Sequence, residues 1–300
     1  MTERRHLLTA AALGLAAGTG EAGAQPRPGP LAGRAALVTG AARGIGRATA
    51  ILLAQQGADI ALLDIARPEA IPQTGYRLAS AEDLAEAARL VAANGVRALP
   101  LAADLRDRAA TEAAIGRAVG ELGGLDILVA NAGINVSRGA VTAVDAEAWQ
   151  ALLDVNLTGT WHSVRAALPG LRRRGGGRIV LVTSIQARRG AENSGAYAAT
   201  KWGLTGLMKS LAHELGPEGI TVNAVAPTTV STVMVHGGRP REEPADPREA
   251  GKRLGYLLPR PMLQPEEIAQ AIAYLCGPGA GAVSGVTLDV NAGQSASLSA

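Results

Sequence analysis

The chain has 300 residues, 47% of them hydrophobic and 18% charged, with 38 glycines and 16 prolines. That length can bury a large core, the apolar content excludes a disordered segment, and the glycines lack the every-third period of collagen. The net charge of +3 comes from 29 basic and 26 acidic residues scattered along the chain, and aromatics make up only 2%, so neither a basic patch nor a base-stacking platform for nucleic acid is in view.

Arg4-Arg5 precedes an apolar run from Leu7 to Ala17 that no acidic residue interrupts, and Ala22-Gly23-Ala24 then offers small residues before Gln25. Charged, apolar and cleavage regions in that order resemble a twin-arginine export signal. The run is too short for a permanent bilayer span. Residues 1–24 are therefore read as a signal peptide, implying an exported or periplasmic protein; the alternative is a basic extension on a cytoplasmic one. Residues 25–32, rich in Pro and Gly, read as a linker, and residues 33–300 as one domain.

Within that domain short apolar runs alternate with helical patterns. Strands are expected at 35–39, 60–63, 96–103, 127–130, 178–183, 221–225 and 287–290. Helices are expected at 47–56 with Gly57 as a stop, at 82–93 before Asn94-Gly95, and from Tyr197 to Leu215. Almost fully apolar strands between helices predict an α/β fold: a single doubly wound parallel sheet with helices on both faces. Two stretches break the rhythm. Residues 65–81 lengthen one connection, and residues 228–264 form a long loop, suited to a binding loop or lid, with five prolines from Pro240 to Pro261 and a sixth, Pro265, directly after it.

The first strand runs into Thr39-Gly40-Ala41-Ala42-Arg43-Gly44-Ile45-Gly46 and then a helix. Glycines let backbone amides approach a phosphate, and the helix directs its positive end to the same place. Asp64 closes the second strand, 18 residues after Gly46, where a carboxylate can accept both hydroxyls of an adenine ribose. It would repel a 2′-phosphate, so NAD is expected over NADP; Arg43 and Arg67 are the counter-argument. Asp104 can accept an adenine amino group, and Asn131-Ala132-Gly133 lets the chain pass close to a cofactor.

Tyr197 and Lys201 stand four residues apart, on one helix face, where a cation can draw a phenol pKa down towards working pH. Ser184 ends the fifth strand, at the carboxyl edge of the sheet where ligands bind. Asn156 is a polar residue on an otherwise apolar helix. Cys276 reads as a small core residue, Trp149, Trp161 and Trp202 as packing residues, and Met234 and His236 as possible pocket or solvated loop residues. The four histidines show no metal-binding spacing, and no metal is assigned.

With these motifs the sequence resembles the short-chain dehydrogenase/reductase family over about residues 33–293. The resemblance implies a Rossmann fold and hydride transfer between NAD and a secondary alcohol or ketone. It makes Tyr197 the acid/base and has Lys201 hold the nicotinamide ribose and lower the Tyr pKa. Ser184 would orient the substrate oxygen, and Asn156 would hold a water of a proton relay. The cofactor contacts it implies are Gly40, Arg43, Gly44, Ile45, Gly46, Asp64, Asp104, Leu105, Asn131, Ala132, Gly133, Pro227 and Thr229. It also implies a homotetramer or homodimer. The alternatives within the family are a 3-oxoacyl or steroid reductase; outside it, a non-catalytic NAD-binding sensor.

The segment Tyr76–Leu84 in the lengthened connection, and Pro227-Thr228-Thr229-Val230 after the sixth strand, are similar to the mycofactocin-associated, carveol dehydrogenase-like branch, although Ala226 departs from its pattern. That branch implies tightly held NAD and a redox acceptor such as mycofactocin. A trapped cofactor would suit an exported enzyme, which meets no NAD pool outside the cytoplasm.

Overall fold

The computed structural model describes residues 29–136, 139–237, 246–296 and 298. The twin-arginine-like segment lies outside the described residues. The seven strands are β1 (Ala35–Thr39), β2 (Asp59–Asp64), β3 (Ala98–Ala102), β4 (Ile127–Ala130), β5 (Gly177–Val182), β6 (Ile220–Pro227) and β7 (Thr287–Val290). They form one sheet in the order β3-β2-β1-β4-β5-β6-β7, with every neighbouring pair parallel. Around it lie α1 (Gly44–Gln55), α2 (Ala81–Ala92), α3 (Arg108–Leu122), α4 (Ala146–Leu152), α5 (Gly159–Arg173), α6 (Gly195–Leu215), α7 (Val233–His236), α8 (Pro247–Leu254) and α9 (Pro265–Cys276). A π-helical turn, Leu153–Thr158, joins α4 to α5.

The expected doubly wound architecture is present, and the alternation of side chains explains it. In β1, Ala36 and Val38 face a core built with α1, α2 and α9. Their neighbours Ala35 and Leu37 face the opposite core, built with α3, α5 and α6. A strand buried on both faces must be apolar throughout, which is why β1 reads AALVT with all five residues buried. Helix ends are set locally. The Ser80 hydroxyl accepts from the Asp83 amide while the Asp83 carboxylate accepts from the Ser80 amide, a reciprocal cap that starts α2. Chain order reverses between β1 and β4, which opens a crevice at their carboxyl ends.

Three expectations change. The domain begins before residue 33: Leu31 is 3% exposed, joins the core, and donates its amide to the Gln56 carbonyl at 2.9 Å. The stretch 228–264 is not one loop, because α7 and α8 form within it; its residues 238–245 lie outside the described ones. Trp149, Trp161 and Trp202 do not pack inside the chain, being 38%, 40% and 51% exposed. Cys276 is the small buried core residue expected.

Candidate active site

The crevice between β1 and β4 is bounded by the glycine turn, the ends of β2, β5 and β6, and the connection after β2. Gly40 has φ +65°, and a Cβ there would lie 2.9 Å from the Ala132 Cα. At Gly46 a Cβ would lie 2.0 Å from the Gly40 carbonyl oxygen, so the turn closes only around hydrogen. Asn131 braces it, donating its side-chain amide to the Thr39 carbonyl at 2.9 Å and the Gly40 carbonyl at 3.2 Å. Asn131 is thus a strut between β4 and the turn as well as a lining residue. Gly40, Arg43, Gly44, Ile45, Ala132 and Gly133 line the crevice, whereas Gly46 shapes the turn from behind.

Asp64 reaches the crevice at the end of β2 and is 9% exposed. Burial pushes its carboxyl up, while amides of Ala42, Ala66 and Ile65 and the Arg43 charge draw it down. The Ala42 amide donates to it at 3.0 Å, fixing the carboxylate against the turn. Arg43 donates to the Arg77 carbonyl at 2.8 Å, and Arg67 pairs with Asp104 at 3.1 Å. Asp104 and Leu105 line the crevice as expected. The Asp104 carboxylate, however, is already engaged by Arg106 at 2.7 Å as well as by Arg67. Burial pushes Asp104 up, but the Arg106 hydrogen bonds and both guanidinium charges hold it below the usual carboxylate range. Its acceptor capacity is largely spent within the protein, which weakens the adenine role read from sequence.

Ser184, Tyr197 and Lys201 converge at the carboxyl end of β5. Ser184 caps a short turn, accepting from the Gln186 amide at 3.1 Å. Burial pushes the Tyr197 phenol well up, a hydrogen bond with Ser184 draws it down, and nearby Tyr76 opposes that. Lys201 is 3% exposed, and burial pushes its ammonium down to about 8. Its Nζ donates to the Val182 carbonyl at 3.0 Å and lies 5.5 Å from the Tyr197 ring centre. The expected lowering of the Tyr197 pKa by Lys201 is therefore not met in the chain by itself: the ammonium sits over the ring and is tied to a carbonyl, and desolvation dominates both groups.

Asn156 falls in the π-helical turn and is fully buried. Its Oδ1 accepts from the Ile134 amide at 2.8 Å, and its Nδ2 donates to the Ile134 carbonyl at 3.0 Å and to Thr200 Oγ1 at 3.1 Å. Both side-chain donors are committed within the chain, and the main-chain carbonyl of Asn156 accepts from Thr160 at 2.8 Å. Thr200 in turn donates to the Tyr197 carbonyl at 2.8 Å, tying this brace to the catalytic helix. Sequence reading passed over Thr200, although it sits between Tyr197 and Lys201.

After β6, Pro227 lines the crevice as expected, but Thr229 does not; Thr228 takes that place. The Thr229 carbonyl accepts from Tyr256 Oη at 3.0 Å. Met234 lines the crevice, whereas His236 is bonded to Ser231 at 2.9 Å. Tyr76, Ile71, Leu78 and Ile134 also line it and were not named as site residues from sequence. Only the position of Tyr76 in an unusually long connection hinted at one.

A parallel sheet, a glycine turn at its switch point and a Ser-Tyr-Lys cluster at the next strand end define a nucleotide-dependent oxidoreductase fold. Comparison with known proteins agrees. Residues 40–295 match the family profile described as Enoyl-(Acyl carrier protein) reductase. The chain is 37% identical over 270 residues to (-)-trans-carveol dehydrogenase of Rhodococcus erythropolis, covering 87% of this chain and 97% of that one. It is 39% identical over 266 residues to cis-4-hydroxycyclohexanecarboxylate dehydrogenase of Sinomonas cyclohexanicum, covering 88% and 97%. The crystal structure of carveol dehydrogenase from Mycobacterium avium in complex with NAD superposes with a TM-score of 0.83 at 40% identity, covering 89% of this chain and 99% of that one. The chain belongs to the short-chain dehydrogenase/reductase family.

Proposed function

We propose that the chain is an NAD-dependent dehydrogenase of secondary alcohols, acting on ring alcohols. The observation that carries this is the convergence of Ser184, Tyr197 and Lys201 in the crevice that also holds the glycine turn and Asp64. The residues fit the cofactor. A Cβ at Gly46 would meet the Gly40 carbonyl oxygen and the Asn131 amide, so the tight turn that opens the helix N-terminus to a pyrophosphate needs glycine there. Asp64 stands where a ribose would be held, and Arg43 and Arg67, the two side chains suited to a 2′-phosphate, are bonded to Arg77 and Asp104. That arrangement favours NAD over NADP.

Bound NAD supplies the hydride acceptor at its nicotinamide ring. The protein's task is positioning and proton transfer. Ser184 would hold the alcohol oxygen, and Tyr197, made a phenolate when the positive charge of bound NAD adds to that of Lys201, would take the hydroxyl proton as hydride leaves the carbon. Lys201 would hold the nicotinamide ribose, and Asn156 fixes the floor beside Gly133. The apolar lining from Ile71, Ile134, Val155 and Met234 suits a ring alcohol, as do the substrates named for the two relatives. The test is Tyr197→Phe. An enzyme loses turnover about a hundred- to ten-thousandfold yet still binds NAD; a sensor keeps its response.

We also infer that NAD stays bound through purification, that the protein is exported by its twin-arginine-like segment, and that an acceptor of the mycofactocin type reoxidises it. Retention is supported by three links tying residues 67–77 across the adenosine end: Arg43 to the Arg77 carbonyl, Arg67 to Asp104, and Arg106 to the Ala70 carbonyl. Protein purified without nucleotide, then denatured, should release one NAD per chain. Release of none contradicts retention and removes the main support for activity outside the cytoplasm.

A further inference from the structure

We propose that Tyr76, from the connection after β2, is a specificity-determining residue of the alcohol cavity, its ring forming one wall and its hydroxyl pinning the cavity floor. That connection starts directly after Asp64, the residue expected to hold the adenine ribose. It reaches further. Arg77 gives its carbonyl to Arg43 of the glycine turn, while Tyr76, one residue earlier, points into the crevice and packs in the same apolar cluster as Tyr197. Thr74, itself buried, fixes the backbone between them by donating to the Tyr76 carbonyl at 2.7 Å.

Tyr76 Oη accepts from the Asn135 amide at 3.2 Å. The preceding residue, Ile134, is held from the other side by Asn156, which reaches Thr200 and through it the Tyr197 carbonyl. The segment 134–135 is therefore clamped between Tyr76 and Asn156, and Ile134 lines the same crevice as Ser184. Burial pushes the Tyr76 phenol up to about 12, so at working pH it is a neutral acceptor and an apolar wall, not a second acid/base. A ring alcohol seated at Ser184 and Tyr197 would share the crevice with this side chain, so the size of residue 76 sets which ring systems fit.

This rests on reading Ser184 and Tyr197 as the alcohol site, and the test keeps the two separable. Binding of cyclohexanone and of camphor, a bulkier bicyclic ketone, is measured on the NAD-loaded protein by ligand-observed NMR. Tyr76→Ala should shift the affinity ratio towards camphor by about tenfold or more, the size of effect expected of a pocket wall. Tyr76→Leu, which keeps apolar bulk if the alanine variant folds poorly, should shift it in the same direction by less. Tyr76→Phe should leave the ratio near that of the parent but speed amide exchange in the 134–136 segment by up to about tenfold, since one hydrogen bond is lost. A ratio unchanged in both the alanine and leucine variants overturns the proposal and leaves the function intact. If neither ketone binds the parent protein, the reading of the alcohol site falls, and this proposal falls with it.

Discussion

Lys201 is an ammonium sealed from water, 3% exposed, with one carbonyl for a partner. Its proton is held to 10.5 in the unfolded chain and only to about 8 in the fold. Between those values the unfolded state binds more protons, so stability rises with pH there; below about 8 the buried charge costs up to about 3 kcal/mol. Such a cost at a buried lysine marks a functional position. Lys201→Met should therefore raise the melting temperature at pH 7 while abolishing turnover, and its advantage over the parent should shrink as pH rises from 8 towards 10. A melting-temperature gap that stays constant over that range contradicts this account. Asp64 makes the matching case for the cofactor. Asp64→Ala should weaken NAD binding by about ten- to a hundredfold, the loss expected for hydrogen bonds to a charged group. NADP, no longer repelled, should gain relative to NAD; titration of both nucleotides against the variant checks it.

At the scale of elements, the glycine turn is the least forgiving part. An added Cβ at Gly46 meets the Gly40 carbonyl oxygen at 2.0 Å and the Asn131 amide nitrogen at 2.6 Å. Both are fixed, so Gly46→Ala should cost about 1–3 kcal/mol by overpacking and lose NAD binding as the turn opens. Denaturant unfolding with and without NAD reads both effects, and a variant that binds NAD normally contradicts the tight-turn argument. Elements of this kind were legible in the sequence because their signals are local. The strand–glycine–helix order, the four-residue spacing of Tyr197 and Lys201, and Ser184 at a strand end need no tertiary information. What escaped depends on contacts across the chain. Asn156 was legible as a polar residue among apolar ones, but that it is buried and its amide is spent on Ile134, 22 residues away, follows only from the π-helical turn and its neighbours. Tyr76 meets Asn135 across 59 residues. Thr228 and Thr229 are adjacent, and no periodicity in a loop says which one faces the crevice.

For the whole molecule, α5 and α6 present Trp161 and Trp202 to solvent, 40% and 51% exposed, and Arg165 covers one face of Trp161 at 4.7 Å. Aromatic residues left on helix surfaces are those that interfaces bury. The chain is expected to self-associate through this face as a homodimer or homotetramer, and Trp202→Glu should lower the assembly state in sedimentation. A parent that is monomeric at micromolar concentration contradicts that expectation. The central claim concerns one phenol in one crevice. The direct test mixes NAD-loaded protein with a ring alcohol and follows NADH absorbance within a single turnover. Parent protein should form NADH in step with the alcohol added, and Tyr197→Phe should hold the same nucleotide and form almost none. Equal NADH formation by both proteins would contradict the assignment of Tyr197 as the acid/base.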